Sequence, residues 1–362
     1  MRKIFFLALV MSLGALWCVI GELQAQPQYY YRDLGSLGGA DSRAYGINNN
    51  RQVVGRSMDS SGVTHAFSWT LNGGLQNLGS LYGSSGSQAW GINDSGQITG
   101  GGFDILSESP WQTPAAGSPL QPLSTLGGAG GLGYATNSSG VIAGNSSTPS
   151  GEMRASLWWT PTSTPLDLCT PGWSGGSALG INDAGVVVGW ANPASGPQRP
   201  FWAFPGFFLY DIIDLYGGGL WGDTGQAWDI NNMWMITGWA RNAAGQNEAF
   251  WGSPFSAMAP LGGLGGVGSL GPWQVLSWAY GINEAFQIVG FAFDGLGQDS
   301  AFLYDLSTGV MLNLNDLVVN MPAGDRLIRA LDINEAGEVV GYTQNGRAYL
   351  LSTDPSPSLP SP

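Results

Sequence analysis

The stretch AWGINDSGQITG, residues 89–100, decides the fold of this protein because the chain repeats it seven times in altered form. One asparagine recurs in every copy, and a glycine always follows it seven residues later. The asparagines are Asn48, Asn93, Asn137, Asn182, Asn231, Asn283 and Asn334, and the glycines are Gly55, Gly100, Gly144, Gly189, Gly238, Gly290 and Gly341. A fixed offset within a period of about 45 residues indicates a repeated structural unit with loops of variable length.

Each unit is predicted to contain four short strands. The first is of the AYGIN type and alternates large and small residues, whereas the second, as in VVVG at 186–189, is apolar throughout and therefore buried on both faces. An Asn-Asx-x-Gly turn, as at 93–96, joins them and places its last residue at positive φ. A third strand such as HAFSW at 65–69 and a fourth such as LQNLGSL at 75–81 complete an antiparallel sheet.

The two ends of the chain decide how the units are arranged. The seventh unit stops after its third strand, at 347–351, while residues 29–36 resemble a fourth strand that precedes the first unit. An open stack has no use for such a split, but a ring can use it to pair its ends. The sequence therefore predicts an all-β fold, a seven-bladed β-propeller of four-stranded antiparallel blades closed by the N-terminal strand. The predicted blades cover about 42–81, 87–126, 132–168, 177–215, 226–261, 278–317, and 329–351 together with 29–36.

The first 25 residues have the pattern of an export signal. Arg2 and Lys3 precede an apolar run at 4–21, and cleavage is predicted after Ala25. An uncleaved anchor is the alternative, because the apolar run approaches the length that spans a bilayer. We expect a secreted or cell-surface protein that is not inserted in a membrane after signal removal. The Pro and Ser residues of 354–362 predict a disordered tail.

Charge and composition exclude several classes of function. Loss of Arg2, Lys3 and Glu22 with the signal changes the formal net charge from −13 to −14, so nucleic acid is not an expected partner. The remaining chain has no lysine, one histidine (His65) and one cysteine (Cys169), which leaves little for catalysis or for metal sites built from His and Cys. Cys169 has no partner for an internal disulfide and is predicted to be a small buried residue.

The high glycine content also has a predicted cause. Seven sheets converge at the axis of a propeller, where residues without a Cβ let backbones approach closely. In three turns the place of the glycine is taken by Arg51, Trp234 and Phe286. Because positive φ is costly for bulky residues, we expect these turns to be of another type; the alternative is that their side chains are positioned for a purpose.

These motifs resemble the bacterial extracellular family named for its His-Ala-Phe repeat. The resemblance covers nearly the whole chain after the signal, and it implies export and a propeller but no particular activity. The motifs that carry it are LGSLGG at 34–39, THAFSW at 64–69, LSTLGG at 123–128, GINDAGVVVG at 180–189 and AYGIN at 279–283. Only one unit has the histidine, His65; other units have Arg199, Glu248, Ser300 or Arg347 near that place, so we expect His65 to pack in the core rather than to act in catalysis.

Two carboxylates are the candidate catalytic residues. Asp229 and Asp332 stand in inner strands where the other units have Gly46, Gly91, Ala135, Gly180 and Gly281. If both face the channel, they form an acid and base pair suited to glycoside hydrolysis. The alternative is that each carboxylate hydrogen-bonds to an adjacent strand or loop.

Other candidates lie in the turns, crossings and third strands. Acidic residues of the inner turns, Asp94, Asp183, Glu284 and Glu335, could attract calcium, although solvated turn residues are the simpler interpretation. Trp221 and Trp273, in the longest crossings at 216–227 and 262–278, are candidate ligand-stacking residues. The tryptophans of the third strands are predicted to pack between blades: Trp69, Trp158, Trp202 and Trp251.

The sequence favours a secreted, non-enzymatic binding or surface module. Its partner, an unknown protein or glycan, is expected to contact the long crossings, because propeller loops vary on a rigid ring. The alternatives are a secreted carbohydrate-active enzyme that uses the channel carboxylates and a structural component of the envelope or matrix. We expect a monomer and no cofactor, with calcium as the one candidate.

Overall fold

A computed structural model describes residues 26–81, 85–103, 108–115, 117–169, 172–204, 221–265 and 277–355. The protein is an all-β, seven-bladed β-propeller with antiparallel blades, as predicted. The predicted export signal and residues 356–362 of the predicted tail lie outside the described residues. Within the described part of the chain, no helix combines the length and the apolar character needed to span a bilayer.

The strands follow one another blade by blade. After β1 (Tyr30–Asp33), the first blade contains β2–β5 (Gly38–Ile47, Val53–Asp59, Thr64–Thr70, Gly74–Gly79) and the second β6–β9 (Gly86–Ile92, Ile98–Phe103, Glu108–Thr113, Gln121–Pro122). The third contains β10–β13 (Gly131–Thr136, Ile142–Ser147, Met153–Trp158, Leu166–Asp167), and the fourth has three described strands, β14–β16 (Trp173–Ile181, Val187–Pro193, Arg199–Ala203).

The remaining blades follow in the same order. The fifth contains β17–β20 (Trp221–Ile230, Ile236–Asn242, Asn247–Ser253, Ser256–Gly262) and the sixth β21–β24 (Ser277–Ile282, Gln287–Phe293, Asp299–Asp305, Val310–Asn313). A single helical turn, α1 (Leu314–Leu317), leads to the seventh, which contains β25–β27 (Leu327–Ile333, Val339–Thr343, Ala348–Ser352). The sheet order of this last blade is β1-β27-β26-β25, with Tyr30 opposite Ser352 and Arg32 opposite Leu350.

The core lies between the blades, because the second strand of each blade is apolar on both faces. One buried cluster joins Leu157 of the third blade to Val187 of the fourth. The tryptophan prediction is confirmed: Trp69 packs with residues of the seventh blade and Trp158 with Leu123 of the second, while Trp202 and Trp251 are partly buried against similar clusters. Cys169 is buried in such a cluster, also as predicted.

The repeated glycine is required by a β-bulge in the inner strand. In every blade the pairing register shifts by one residue, so that the inner strand carries one extra residue. The glycine lies opposite this bulge, and a Cβ on any of the seven would lie well under 3.0 Å from a carbonyl oxygen of the inner strand. The axial glycines have the cause that the sequence predicts, since a Cβ on Gly91 would lie 2.6 Å from the carbonyl oxygen of Tyr134 in the next blade.

The prediction that three turns differ in type is wrong. Arg51, Trp234 and Phe286 have φ of 60°, 65° and 60°, like the glycines in the other turns, and their N–H groups donate to the same asparagine carbonyl. The side chains of Arg51 and Trp234 have partners that a glycine at this place cannot have. Arg51 pairs with Glu338 at 2.6 Å, and Trp234 stacks with Phe204 and Phe255 at centroid distances of 6.3 and 5.5 Å.

Candidate functional site

The seven repeated asparagines form a closed belt around the axis. Each side-chain amide donates from Nδ2 to the main-chain oxygen of the next asparagine at 2.8–3.2 Å, and Asn334 completes the circle by donating to Asn48. Each Oδ1 accepts the N–H four residues later at 2.9–3.0 Å, which fixes the turn. Sequence reasoning found only the turn. A signal for the belt was available, because aspartate would serve the turn but lacks the donor.

Successive residues of the inner strands form successive layers along the axis. The layer next to the belt contains Ile47, Ile92, Thr136, Ile181, Ile230, Ile282 and Ile333 and borders two cavities. Beyond it lies the layer of glycine, alanine and the two aspartates, and then the bulge residues. On the other side of the belt lies the layer of acidic turn residues. The repeat therefore places equivalent residues in rings, and each ring has its own chemistry.

The bulge residues line an axial cavity of about 390 Å³. The seven are Tyr45, Trp90, Tyr134, Leu179, Trp228, Tyr280 and Leu331, and all except the two leucines are aromatic. Bulges re-aim side chains, and here each one turns a side chain towards the axis. Tyr45 stacks on Trp90 at 4.3 Å, and Trp228 meets Tyr280 edge to face at 5.1 Å. These seven bulge side chains together are called the aromatic ring of the cavity. Sequence reasoning missed it because, in a strand without a bulge, the residues at these positions would point to the other face of the sheet.

Asp229 and Asp332 line the same cavity, directly below the aromatic ring. Each carboxylate is held by two backbone N–H groups, one from its own strand and one from the next blade. Asp229 accepts from Ile230 at 2.8 Å and from Ile282 at 3.0 Å, and Asp332 accepts from Ile333 and Ile47 at 2.8 Å each. The structure thus brings together the two carboxylates predicted from the sequence, and it also contains the strand-to-strand hydrogen bonds of the alternative interpretation.

Both carboxyl groups resist ionisation. Burial raises the pKa of Asp229 to about 6, against the opposing effect of its hydrogen bonds from Ile282 and Ile230. Burial and then the negative charge of Asp229 raise the pKa of Asp332 to about 8. At neutral pH Asp332 is therefore mainly protonated, and the two carboxyl groups, which line one cavity and interact through their charges, titrate as a coupled pair.

The protonated state of Asp332 predicts a pH-dependent stability. A carboxyl whose folded pKa lies above its unfolded value of about 3.9 stabilises the fold fully below that value, and the contribution is lost as pH rises to about 8. Asp332→Ala removes this loss, and alanine fits because Ala135 stands at the same place in the third blade. In urea unfolding, the free energy of the variant relative to wild type should rise by at least about 2 kcal/mol between pH 4 and pH 8. Parallel pH profiles for Asp332→Ala, wild type and the exposed control Asp316→Ala would contradict this.

The acidic turn residues surround a smaller cavity of about 190 Å³ at the other end of the axis. Their carboxylates accept N–H groups of the preceding turn: Asp94 from Asn49 at 2.8 Å, Asp183 from Ser138 at 2.9 Å, Glu284 from Asn232 at 2.7 Å and Glu335 from Glu284 at 3.1 Å. Across the described ranges, no three His, Cys, Asp or Glu side chains converge in a way that could hold a metal ion. These acids thus link neighbouring turns around the ring.

The other predicted site residues lie away from the axial cavity or outside the described residues. The His65 side chain is only partly buried, and its Nε2 lies 3.1 Å from the Asp59 carboxylate, so it does not pack in the core. Trp221 begins β17, but its side chain is outside the described set, as are Trp273 and much of the two long crossings.

Comparisons with known proteins support the fold alone. No family model and no curated relative matches the chain. Among solved structures, YCF48 bound to D1 peptide is similar with a TM-score of 0.55 at 10% identity, covering 93% of this chain and 99% of that chain. The BP39L lectin from Burkholderia pseudomallei is similar with a TM-score of 0.48 at 11% identity, covering 90% and 94%. The propeller domain of the Trilobed protease from Pyrococcus furiosus gives 0.49 at 9% identity, covering 76% and 82%.

Proposed function

We propose that this protein is an exported, non-enzymatic binding module that takes a small ligand into the axial cavity through its aromatic ring. The observation that carries the proposal is the bulge, which all seven blades use to turn one side chain to the axis. The cavity volume lies within the usual range of small-molecule sites, and planar aromatic side chains provide large contact areas at little entropic cost. The sequence placed the contact surface on the long crossings, whereas this proposal places the ligand in the axial cavity.

The binding proposal is tested with Trp90→Leu, because leucine occupies the same bulge position at Leu179 and Leu331 and fits the fold. We expect some member of a panel of sugars, amino acids and amines to raise the melting temperature of wild type. The Trp90→Leu variant should bind the same compound at least about tenfold more weakly, since it loses a stacking contact.

The matched control is Trp159→Leu, which changes a tryptophan that is 53% exposed outside the cavity. It should bind like wild type. The proposal fails if no compound stabilises wild type, or if the two variants lose the same affinity.

A secreted carbohydrate-active enzyme is the second candidate, and the pairing of Asp229 with Asp332 in one cavity favours it. One carboxyl with a raised pKa can act as a general acid while the other acts as a base. Turnover of a nitrophenyl glycoside that disappears in Asp229→Asn and Asp332→Asn would support the enzyme over the binding module.

We also infer that β1 closes the ring by completing the seventh blade. The antiparallel register with β27 supports this, as does Asn320, which accepts the N–H of Tyr31 at 2.6 Å and donates to its carbonyl at 3.0 Å. The buried Tyr29 hydroxyl adds a hydrogen bond to the Gly337 carbonyl at 3.2 Å. Membership of the His-Ala-Phe repeat family and export remain part of this proposal, and they rest on the repeat motifs and the N-terminal pattern of the sequence.

A further inference from the structure

We infer that the ligand of the axial cavity is a small organic cation, a quaternary ammonium or protonated amine, held between the aromatic ring and the carboxylates of Asp229 and Asp332. This inference rests on the proposed binding function and specifies its ligand class. Aromatic faces attract cations through the negative potential of the ring, most strongly where water is excluded. A wall of aromatic side chains above two carboxylates combines both sources of attraction for one charged group.

The fold does not require the two aspartates. At the same position five blades have glycine or alanine and keep the same bulge, strand pairing and asparagine belt. Burying a carboxylate without an opposite charge is costly. Among the described residues, neither aspartate forms an ion pair with a basic side chain. Two such groups at positions that do not need them indicate a role in binding.

The charges along the axis favour a cation over an anion. Asp229 and Asp332 lie on one side of the belt, and the four acidic turn residues lie on the other. Arg43 is the basic residue among those that line the aromatic cavity. Its guanidinium is already engaged, 3.3 Å from Asp41 and 4.5 Å from the ring centre of Tyr342. The acidic side chains along the axis therefore outnumber the one basic side chain that lines the aromatic cavity, and this balance favours a cation.

The lining also favours an organic cation over a metal ion. Calcium takes six to eight oxygen ligands. Here the four oxygen atoms of the two carboxylates each already accept a backbone N–H, and most of the remaining wall is carbon. A large, weakly hydrated cation needs fewer oxygen contacts and gains more from aromatic faces.

Protonation provides a signature that separates a cation from a neutral ligand. The cavity without a ligand holds Asp332 mainly protonated at neutral pH, because its pKa is about 8. A bound cation favours the ionised form, so its binding should release a proton. A sugar or another uncharged molecule does not require this release.

The experiment compares choline with dimethylbutanol, in which a carbon replaces the charged nitrogen, by calorimetry at pH 7 in two buffers of different ionisation enthalpy. Methyl glucoside and calcium chloride are run beside them. We expect choline to bind at least about tenfold more tightly than dimethylbutanol, with proton release in the buffer comparison. Asp229→Ala/Asp332→Ala should abolish this preference, and Trp228→Leu should weaken choline binding; alanine and leucine occupy these positions in other blades.

Equal affinity for choline and dimethylbutanol would overturn the inference and leave the binding function in place. Binding of methyl glucoside or of calcium without binding of choline would also overturn the inference and leave the binding function in place. Choline binding that survives in the double aspartate variant also overturns it, since the carboxylates would then have no part. Failure of every compound in the wider panel to bind wild type would instead remove the proposed function itself.

Discussion

Gly189→Ala is expected to prevent formation of a stable propeller. The new Cβ would collide with the Ser177 carbonyl oxygen of β14 and would lie 3.0 Å from Cε1 of Phe201 in β16. Relief requires the inner strand to move out of its bulge, which also moves Leu179 from the cavity and strains the belt at Asn182. Overpacking usually costs about 1–3 kcal/mol, and a collision with backbone on one side and a buried ring on the other places this change above about 4 kcal/mol.

The control for Gly189→Ala is Gly185→Asn in the same hairpin. Gly185 has φ of 81°, and a Cβ there would meet nothing within 4 Å, so only the backbone conformation is penalised. Asparagine tolerates this region, and Arg51, Trp234 and Phe286 occupy it in other blades. Urea unfolding followed by tryptophan fluorescence should show a loss below about 1 kcal/mol for Gly185→Asn. Similar losses for the two variants would contradict the role assigned to the bulge.

The glycine and asparagine repeats predicted the number of blades, because the repeats can be counted in the sequence without knowing which distant residues are in contact. The turn glycines were also predictable from local chemistry, since Gly185 and its equivalents need positive φ. The same local rule failed at Arg51, Trp234 and Phe286. There the belt asparagine fixes the turn from both sides, and this tertiary constraint outweighs a local penalty of about 1–2 kcal/mol.

The candidate site could be predicted only in part. Asp229 and Asp332 stood out because they replace glycine or alanine at one place in the repeat. The aromatic ring was not found, although Tyr45, Trp90 and Tyr134 are equally regular, because a bulge is a property of strand pairing and leaves no mark in the alternation of one strand. The hydrogen bonds from Ile47 and Ile282 to the aspartates cross between blades, and their partners are far apart in sequence.

Asn182→Asp is expected to lower the free energy of unfolding by about 3 kcal/mol or more at neutral pH. The substitution keeps an oxygen that can accept the N–H of Val186, but it replaces the donor that lies 3.1 Å from the Asn231 carbonyl with a second acceptor. The site is buried, with Asn182 only 3% exposed, so water cannot compensate for the loss. The cost is that of a buried charge facing a carbonyl oxygen.

Protonation of the new carboxyl restores a donor, so the loss of stability should depend on pH. A general packing defect would cause a loss that does not depend on pH. Because the unprotonated form is disfavoured in the fold, the folded pKa of the carboxyl introduced by Asn182→Asp should lie above about 3.9, and the stability of the variant relative to wild type should rise as pH falls towards 4. The control is Asn72→Asp at an exposed turn residue, which should change stability by less than about 0.5 kcal/mol at any pH. Asn334→Asp should show the same pH trend with a loss at least as large, because its amide joins the last blade to the first and also donates to the buried Glu338 carboxylate at 2.9 Å. A pH-independent loss at both positions would show that the amides fill space and that the belt does not hold the ring.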